Sequence, residues 1–202
     1  MERDDSFLKQ RGDEYKLFYF YQKAEALYDI TNYFAHTYVA HNDRTRDQMI
    51  QAARSGKQNI VEGYADGASS SSSEIHLTTI AKGSLLELAE DYKDYLRVHG
   101  GERWQEGSEK FEQCRKVCAT HNDSAFYMER ISERSNLTIA NIALILLAQV
   151  DYLLFKHIEK LKRGDDEGEE AEEGVVTTLR ILKILKELKG LKGLKKKPKN
   201  QK

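Results

Sequence analysis

Residues 139–155, IANIALILLAQVDYLLF, decide the fold because they form the most apolar run of the chain. A run of seventeen residues is short for a membrane span, and Asn141, Gln149 and Asp151 bring polar groups into it. Between residues 139 and 148 the side chains are apolar nearly all round a helix, which predicts burial on several sides. The run therefore indicates the core helix of a helical bundle, and we expect no membrane span.

The composition also favours helices. The chain has 202 residues and a single proline, Pro198, whereas turn-rich β-sandwiches and barrels use proline often. The N-terminal segment is charged and has no apolar stretch of the kind that a secretory signal carries. Only two cysteines are present, so no disulfide framework is indicated. We predict a cytoplasmic, all-α protein.

Hydrophobic periodicity and capping residues predict four helices. The first spans residues 15–41, and the second spans 43–62, with Asn42 or Asp43 as N-cap and Gly63 as the stop. The third begins at a capping box, Ser71 to Glu74, and ends near residue 99. The fourth runs from residue 123 or 124 to 163. The fold class predicted is an antiparallel up-down four-helix bundle.

Composition changes along the chain divide it into four parts. We predict a flexible N-terminus at residues 1–14 and the bundle at 15–163, with an irregular insert at 100–123 that holds a short helix near 108–119. Residues 164–174 form an acidic linker, and residues 175–202 form a basic tail, helical or disordered. The formal net charge of −1 is thus a sum of −3 over residues 1–163, −7 in the linker and +9 in the tail.

No motif predicts catalysis. Cys114, Cys118 and His121 offer three soft metal ligands, whereas a structural zinc site uses four. A nucleophile elbow, a phosphate-binding glycine loop and the Glu-x-x-His motif of di-iron bundles are all missing from the sequence. We therefore expect a protein that is not an enzyme, with no metal, no cofactor and no small-molecule substrate.

The second predicted helix has small residues in its middle, Ala52, Ala53 and Gly56. A glycine inside a helix costs about 1 kcal/mol relative to alanine, so the close approach of another helix is the natural compensation. This small face, together with the apolar fourth helix, motivates the hypothesis of a homo-oligomer.

Basic residues form the second candidate surface. On the second and third helices and in the tail, the residues that could hold phosphates are Arg44, Arg46, Arg54, Lys57, Lys82, Lys195, Lys196 and Lys197. For the helical ones an ordinary solvated face is the preferred explanation, and the tail is the stronger candidate, although it could instead fold back on the acidic linker. Both alternatives stay open at the level of sequence.

Residues 44–63, RTRDQMIQAARSGKQNIVEG, closely resemble the four helix bundle suffix domain proteins of bacteria. The stretch NIVEG at 59–63 is similar to the N-I-A-E-G signature of a wider four-helix-bundle family. That family includes proteins encoded in intervening sequences of 23S ribosomal RNA genes and the accessory protein of diversity-generating retroelements. The stretch AKGSLLEL at 81–88 is similar to the family's A-x-G-S-L-x-E-L.

The resemblance implies an antiparallel four-helix bundle that assembles as a barrel-like homopentamer, without enzymatic activity or cofactor. The accessory protein of retroelements binds a reverse transcriptase and nucleic acid, so the resemblance also implies these partners. The matching positions are interpreted as structural: Ala52, Ala53, Gly56, Asn59, Glu62, Gly63, Gly83, Ser84 and Glu87.

Two hypotheses about function follow. The first is a non-catalytic, homo-oligomeric helical-bundle adaptor. The alternative is an accessory protein that binds RNA or DNA through the basic residues of the second helix and the lysine-rich tail.

Overall fold

A computed structural model of the protein describes residues 11–163. The first ten residues, the acidic linker at 164–174 and the tail at 175–202, including Lys195, Lys196 and Lys197, lie outside the described residues. Within residues 11–163 the chain forms helices and loops without a strand, which confirms the all-α class. The helices are α1 (Tyr19–Tyr38), α2 (Arg44–Asp66), α3 (Ser71–Val98), α4 (Glu109–Thr120), α5 (Ser124–Met128) and α6 (Asn136–Lys162), with 3₁₀ turns at Glu14–Leu17 and Ile131–Glu133.

The four long helices share one hydrophobic core. Helix α1 packs on α2 and α6, and α3 packs on the same two helices, while α4 lies on α6 and α5 on α1. Leu27, Phe34 and Leu88 are fully buried in this core. Two polar groups inside it are paired with each other, since the Thr31 hydroxyl and the Tyr92 hydroxyl lie 3.0 Å apart in a hydrogen bond.

Helix α6 is long and apolar enough to cross a bilayer by length and composition, but 61% of its most apolar window is buried inside the fold. Its one buried amide is fully used. The Asn141 amide nitrogen donates to the carbonyls of Glu102 and Leu137, and its oxygen accepts from the Trp104 backbone N–H at 2.8 Å. Asn141 thereby fixes the loop that follows α3 to the core helix.

Several predicted helix ends differ from the structure. Helix α2 runs through Gly63 to Asp66, so the prediction that Gly63 stops the helix is wrong. Gly63 is buried because α3 comes close: a Cβ on it would lie 3.2 Å from the Leu77 Cβ. The capping box is also wrong, since Ser70 rather than Ser71 caps α3 and accepts from the Ser73 N–H.

The predicted fourth helix begins too early. The chain from residue 123 forms the five-residue α5 and a 3₁₀ turn, and α6 begins only at Asn136. Two N-caps cause this, because Asp123 accepts from the Phe126 N–H and Ser135 from the Thr138 N–H. The short helix expected near 108–119 is present as α4.

Helices α2 and α3 approach each other closely at Gly56. Gly56 is buried there, and a Cβ built on it would lie 2.5 Å from the Cδ2 and 2.6 Å from the Cγ of Leu85. The neighbour that approaches the small face of α2 is therefore a helix of the same chain.

Replacing Gly56 with alanine should destabilise the fold. Overpacking against Leu85 outweighs the gain in helix propensity, so we expect a net loss of about 1 kcal/mol or more in the free energy of unfolding. Urea denaturation checks this, with Gln58→Ala, an exposed position on the same helix, as the control expected to change little. A Gly56→Ala protein more stable than the natural one would contradict the packing described.

Candidate functional site

The motif residues of α2 and α3 are joined by a small polar cluster. The Ser55 and Ser84 hydroxyls lie 3.0 Å apart, and the Asn59 amide nitrogen donates to the Ser55 carbonyl at 2.8 Å and to its hydroxyl at 3.1 Å. Asn59 lies in the middle of α2 rather than at its end. These groups hold the two helices in register, which is a structural task.

Three other motif residues face away from the core. Glu62, Glu87 and Gly83 are exposed, and neither carboxylate forms an ion pair with any residue between 11 and 163. A Cβ on Gly83 would meet no atom within 4 Å. Packing among residues 11–163 therefore does not explain the glycine at position 83.

The structure does not bring the five helical basic residues into one patch. Arg54 and Lys57 are neighbours on α2, and the Lys57 ammonium lies 4.6 Å from the ring centre of Tyr28. Lys82 is engaged elsewhere, since its Nζ lies 2.7 Å from the Asp151 Oδ1 on α6. The remaining two, Arg44 and Arg46, lie at the start of α2.

A groove of about 660 Å³ separates α2 from α3 beside Arg44. Its lining contains three carboxylates, Asp47, Glu87 and Asp91, against the single guanidinium of Arg44. Burial, assisted by the charges of Asp94 and Glu87, raises the pKa of Asp91 above its ordinary value. This groove is therefore acidic and disfavours a phosphate backbone.

A second surface, which we name the α3/α6 face, consists of Gly83, Leu86, Ala148, Tyr152 and Phe155. Leu86 is 62% exposed, Tyr152 58% and Phe155 47%. The contact of Lys82 with Asp151, and its position 5.7 Å from the Phe155 ring centre, bring the two helices together at this level. The face exposes apolar side chains of both helices beside the Lys82–Asp151 ion pair, and within residues 11–163 no other segment covers it.

A buried charged cluster joins α3, α6 and the segment before α1. Glu74 is only 2% exposed, its Oε1 lies 2.9 Å from the His157 Nε2, and its Oε2 lies 2.8 Å from the Arg11 Nη1. Burial alone would raise the pKa of Glu74, but the hydrogen bonds and charges of His157 and Arg11 outweigh it and lower the pKa. The arrangement is a network of charged and hydrogen-bonded side chains.

The sequence analysis missed this cluster because it assigned Glu74 to a capping box. The signal that the sequence offered was His157, a titratable residue near the end of the apolar helix.

The two thiols and His121 do not form a metal site. The Cys114 and Cys118 Sγ atoms lie 3.7 Å apart, but the His121 ring stacks on Phe126 with its centre 3.7 Å away. In the part of the chain that the structure describes, no group of three or more potential ligands converges. Nearby, the buried Lys23 ammonium donates to the Cys118 carbonyl, and burial lowers the pKa of Lys23.

Comparison of the chain with protein-family models, with curated proteins and with solved structures finds no match. The resemblance of residues 44–63 and 81–88 to the four-helix-bundle family therefore stays a prediction, and the function is argued from the surfaces described above.

The Glu74 cluster makes stability depend on pH in the acid range. A carboxyl whose pKa is lower in the folded than in the unfolded state stabilises the fold above its unfolded pKa, and that stabilisation is lost as the pH falls through the folded pKa. We expect Glu74→Gln to lose about 2 kcal/mol at pH 7 and to have a flatter stability profile below the usual pKa of a glutamate.

Urea unfolding at a series of pH values measures this profile. Glu90→Gln is the matched control, because Glu90 is an exposed partner of Lys93 and should change stability by less than about 0.5 kcal/mol. Parallel pH profiles for the natural protein and Glu74→Gln would contradict the assignment.

Proposed function

We propose that the chain is a non-catalytic, cytoplasmic helical-bundle scaffold that self-associates, its four long helices running up and down in antiparallel order. The observation that carries the proposal is the α3/α6 face, which presents exposed Leu86, Tyr152 and Phe155 on two adjacent helices. Contiguous exposed apolar surface on a soluble domain marks interaction sites.

Gly83 adds an independent argument. Gly56 and Gly63 are explained inside the chain, since a Cβ on either would press on α3. At Gly83 the same Cβ would meet open space, yet the glycine still costs about 1 kcal/mol in the helix. A helix from a second copy, approaching the α3/α6 face closely, supplies the missing reason.

The small face of α2 and the apolar run of α6, from which the sequence predicted self-association, pack inside the chain instead. Ala52, Ala53 and Gly56 are buried against the neighbouring helices of the same chain, as is most of α6 between residues 139 and 147. Neither feature is available to a second copy. Support for a homo-oligomer therefore comes from the α3/α6 face, and the pentamer implied by the resemblance is one form that such an assembly could take.

A charge placed on the α3/α6 face should dissociate the assembly. We expect the natural protein to scatter light as a multiple of its 23.3 kDa mass, and Leu86→Glu to shift it toward the monomer because a buried unpaired carboxylate is costly. Val98→Glu is the control, since Val98 is 68% exposed at the end of α3, outside the face. A natural protein that remains a 23.3 kDa monomer at micromolar concentration would refute self-association.

The second candidate function is binding of RNA or DNA, with a reverse transcriptase as the partner implied by the resemblance. One observation favours it: Arg44, Arg46, Arg54 and Lys57 form no ion pair with a carboxylate among the described residues. The acidic groove beside Arg44 opposes it, so the first proposal is preferred.

Fluorescence anisotropy with labelled single-stranded RNA and duplex DNA distinguishes the two candidates. Nucleic-acid binding should weaken steeply with salt, and the double variant Arg54→Gln/Lys57→Gln should reduce the slope of log K against log salt by about 1 to 2. Arg97→Gln is the control, because Arg97 is paired with Asp94. Deleting residues 175–202 tests the contribution of the tail, and absent or salt-independent binding would reject this candidate.

A further inference from the structure

A cavity of about 300 Å³ opens between α4, α5 and α6, on the side of the bundle away from the α2–α3 groove. This volume is at the lower end of the range for small-molecule sites. Most of its wall is apolar, with Ile30 of α1, Trp104, and Ile139 and Ile142 of α6 forming a continuous surface. A cavity with this lining favours a ligand with a hydrocarbon or aromatic body.

The charged residues of the wall all have one sign. Lys110, Arg130 and Arg134 line the cavity, and no aspartate or glutamate does. None of the three forms an ion pair with another residue in the described range 11–163. This contrasts with residues 1–163 as a whole, whose net charge is −3.

Arg134 lines the same cavity as the two thiols, and its side chain is exposed to solvent. The hydrogen bond from Cys114 is the main cause that lowers the pKa of the Cys118 thiol, and the charge of Arg134 acts in the same direction. Its side chain makes no hydrogen bond to the described residues, whereas its backbone carbonyl accepts from the Tyr38 hydroxyl. A guanidinium in this position can bind a carboxylate through two parallel hydrogen bonds.

We propose that this cavity binds a small apolar carboxylate of about ten non-hydrogen atoms, with its body against Trp104, Ile139 and Ile142 and its carboxylate on Arg134. A protein partner is a poorer fit, since an α-helix about 10 Å across is too large for a cavity of this volume. The proposal departs from the expectation that the chain binds no small molecule, and it does not depend on self-association.

Trp104 makes the site directly observable, because it is the only tryptophan of the chain. Titration of the full-length protein with octanoate should change the Trp104 emission saturably, as water is displaced from the ring. Octan-1-ol has the same chain without the charge and should bind at least about ten-fold more weakly. Octylammonium should bind more weakly still, since the site is cationic.

Variants separate the contribution of the Arg134 charge to binding from that of the apolar cavity wall. Arg134→Gln should weaken octanoate binding by about ten-fold or more and leave octan-1-ol binding unchanged. Arg115→Gln is the matched control on α4, because Arg115 is paired with Glu112 and does not line the cavity. Ile142→Phe should fill the cavity and weaken both ligands.

A second readout uses the thiol pair Cys114 and Cys118, which lines the cavity. Bound octanoate should slow the alkylation of this pair by iodoacetamide in the natural protein, and much less so in Arg134→Gln. Circular dichroism establishes that each variant is folded, and Lys110→Gln/Arg130→Gln, which should give a partial loss of octanoate affinity, replaces Arg134→Gln if that variant fails to fold.

Two results would overturn the proposal. One is the absence of any saturable change in Trp104 emission at octanoate concentrations below those at which it forms micelles. The other is equal affinity for octanoate and octan-1-ol with no effect of Arg134→Gln, which would identify an apolar cavity without an anion site.

Discussion

Helices α2 and α3 are closely packed at Gly56, where a Cβ would lie 2.5 Å from the Leu85 Cδ2 and would force Leu85 to shift. This contact fixes the separation of the two helices, and the Ser55–Ser84 hydrogen bond beside it fixes their register. Once α2 and α3 are set at this distance, α1 and α6 close the core on the other side. This arrangement determines which residues of each helix are exposed on the outside of the bundle.

The same packing decides which residues remain for interactions. The small face of α2 and most of the apolar run of α6 are used inside the chain, so the candidate contact surface moves to the α3/α6 face. There, Gly83 and Leu86 are exposed, and no contact among residues 11–163 accounts for the glycine. The groove between α2 and α3 lies on the other side of α3, and it is acidic because Asp47, Glu87 and Asp91 line it. These carboxylates interrupt the positive charge of α2, so its basic residues do not form one continuous cationic surface.

The segment between α3 and α6 supplies most of the side chains that form the cavity. It contributes Trp104, the two thiols of α4 and the cations of the cavity wall, and Asn141 anchors its first residues to α6. At the other end of the fold, Glu74 also joins separate segments, because it binds Arg11 and His157 to α3. Both sets of contacts join residues that are far apart along the chain. Helical periodicity is a local pattern and therefore does not predict them.

The sequence by itself determined the all-α class, the approximate extent of α1, α2 and α3, and the central position of the run at 139–155, because helix periodicity and capping are local properties. It could not decide the roles of Gly63 and Glu74, since a glycine that ends a helix and one that admits a neighbour are the same residue in a sequence. It also could not place Lys110, Arg130 and Arg134 around one cavity, because their proximity depends on the turn at residues 129–135. Only tertiary packing, which brings distant residues within contact distance, decides which side chains are buried and which surfaces stay free.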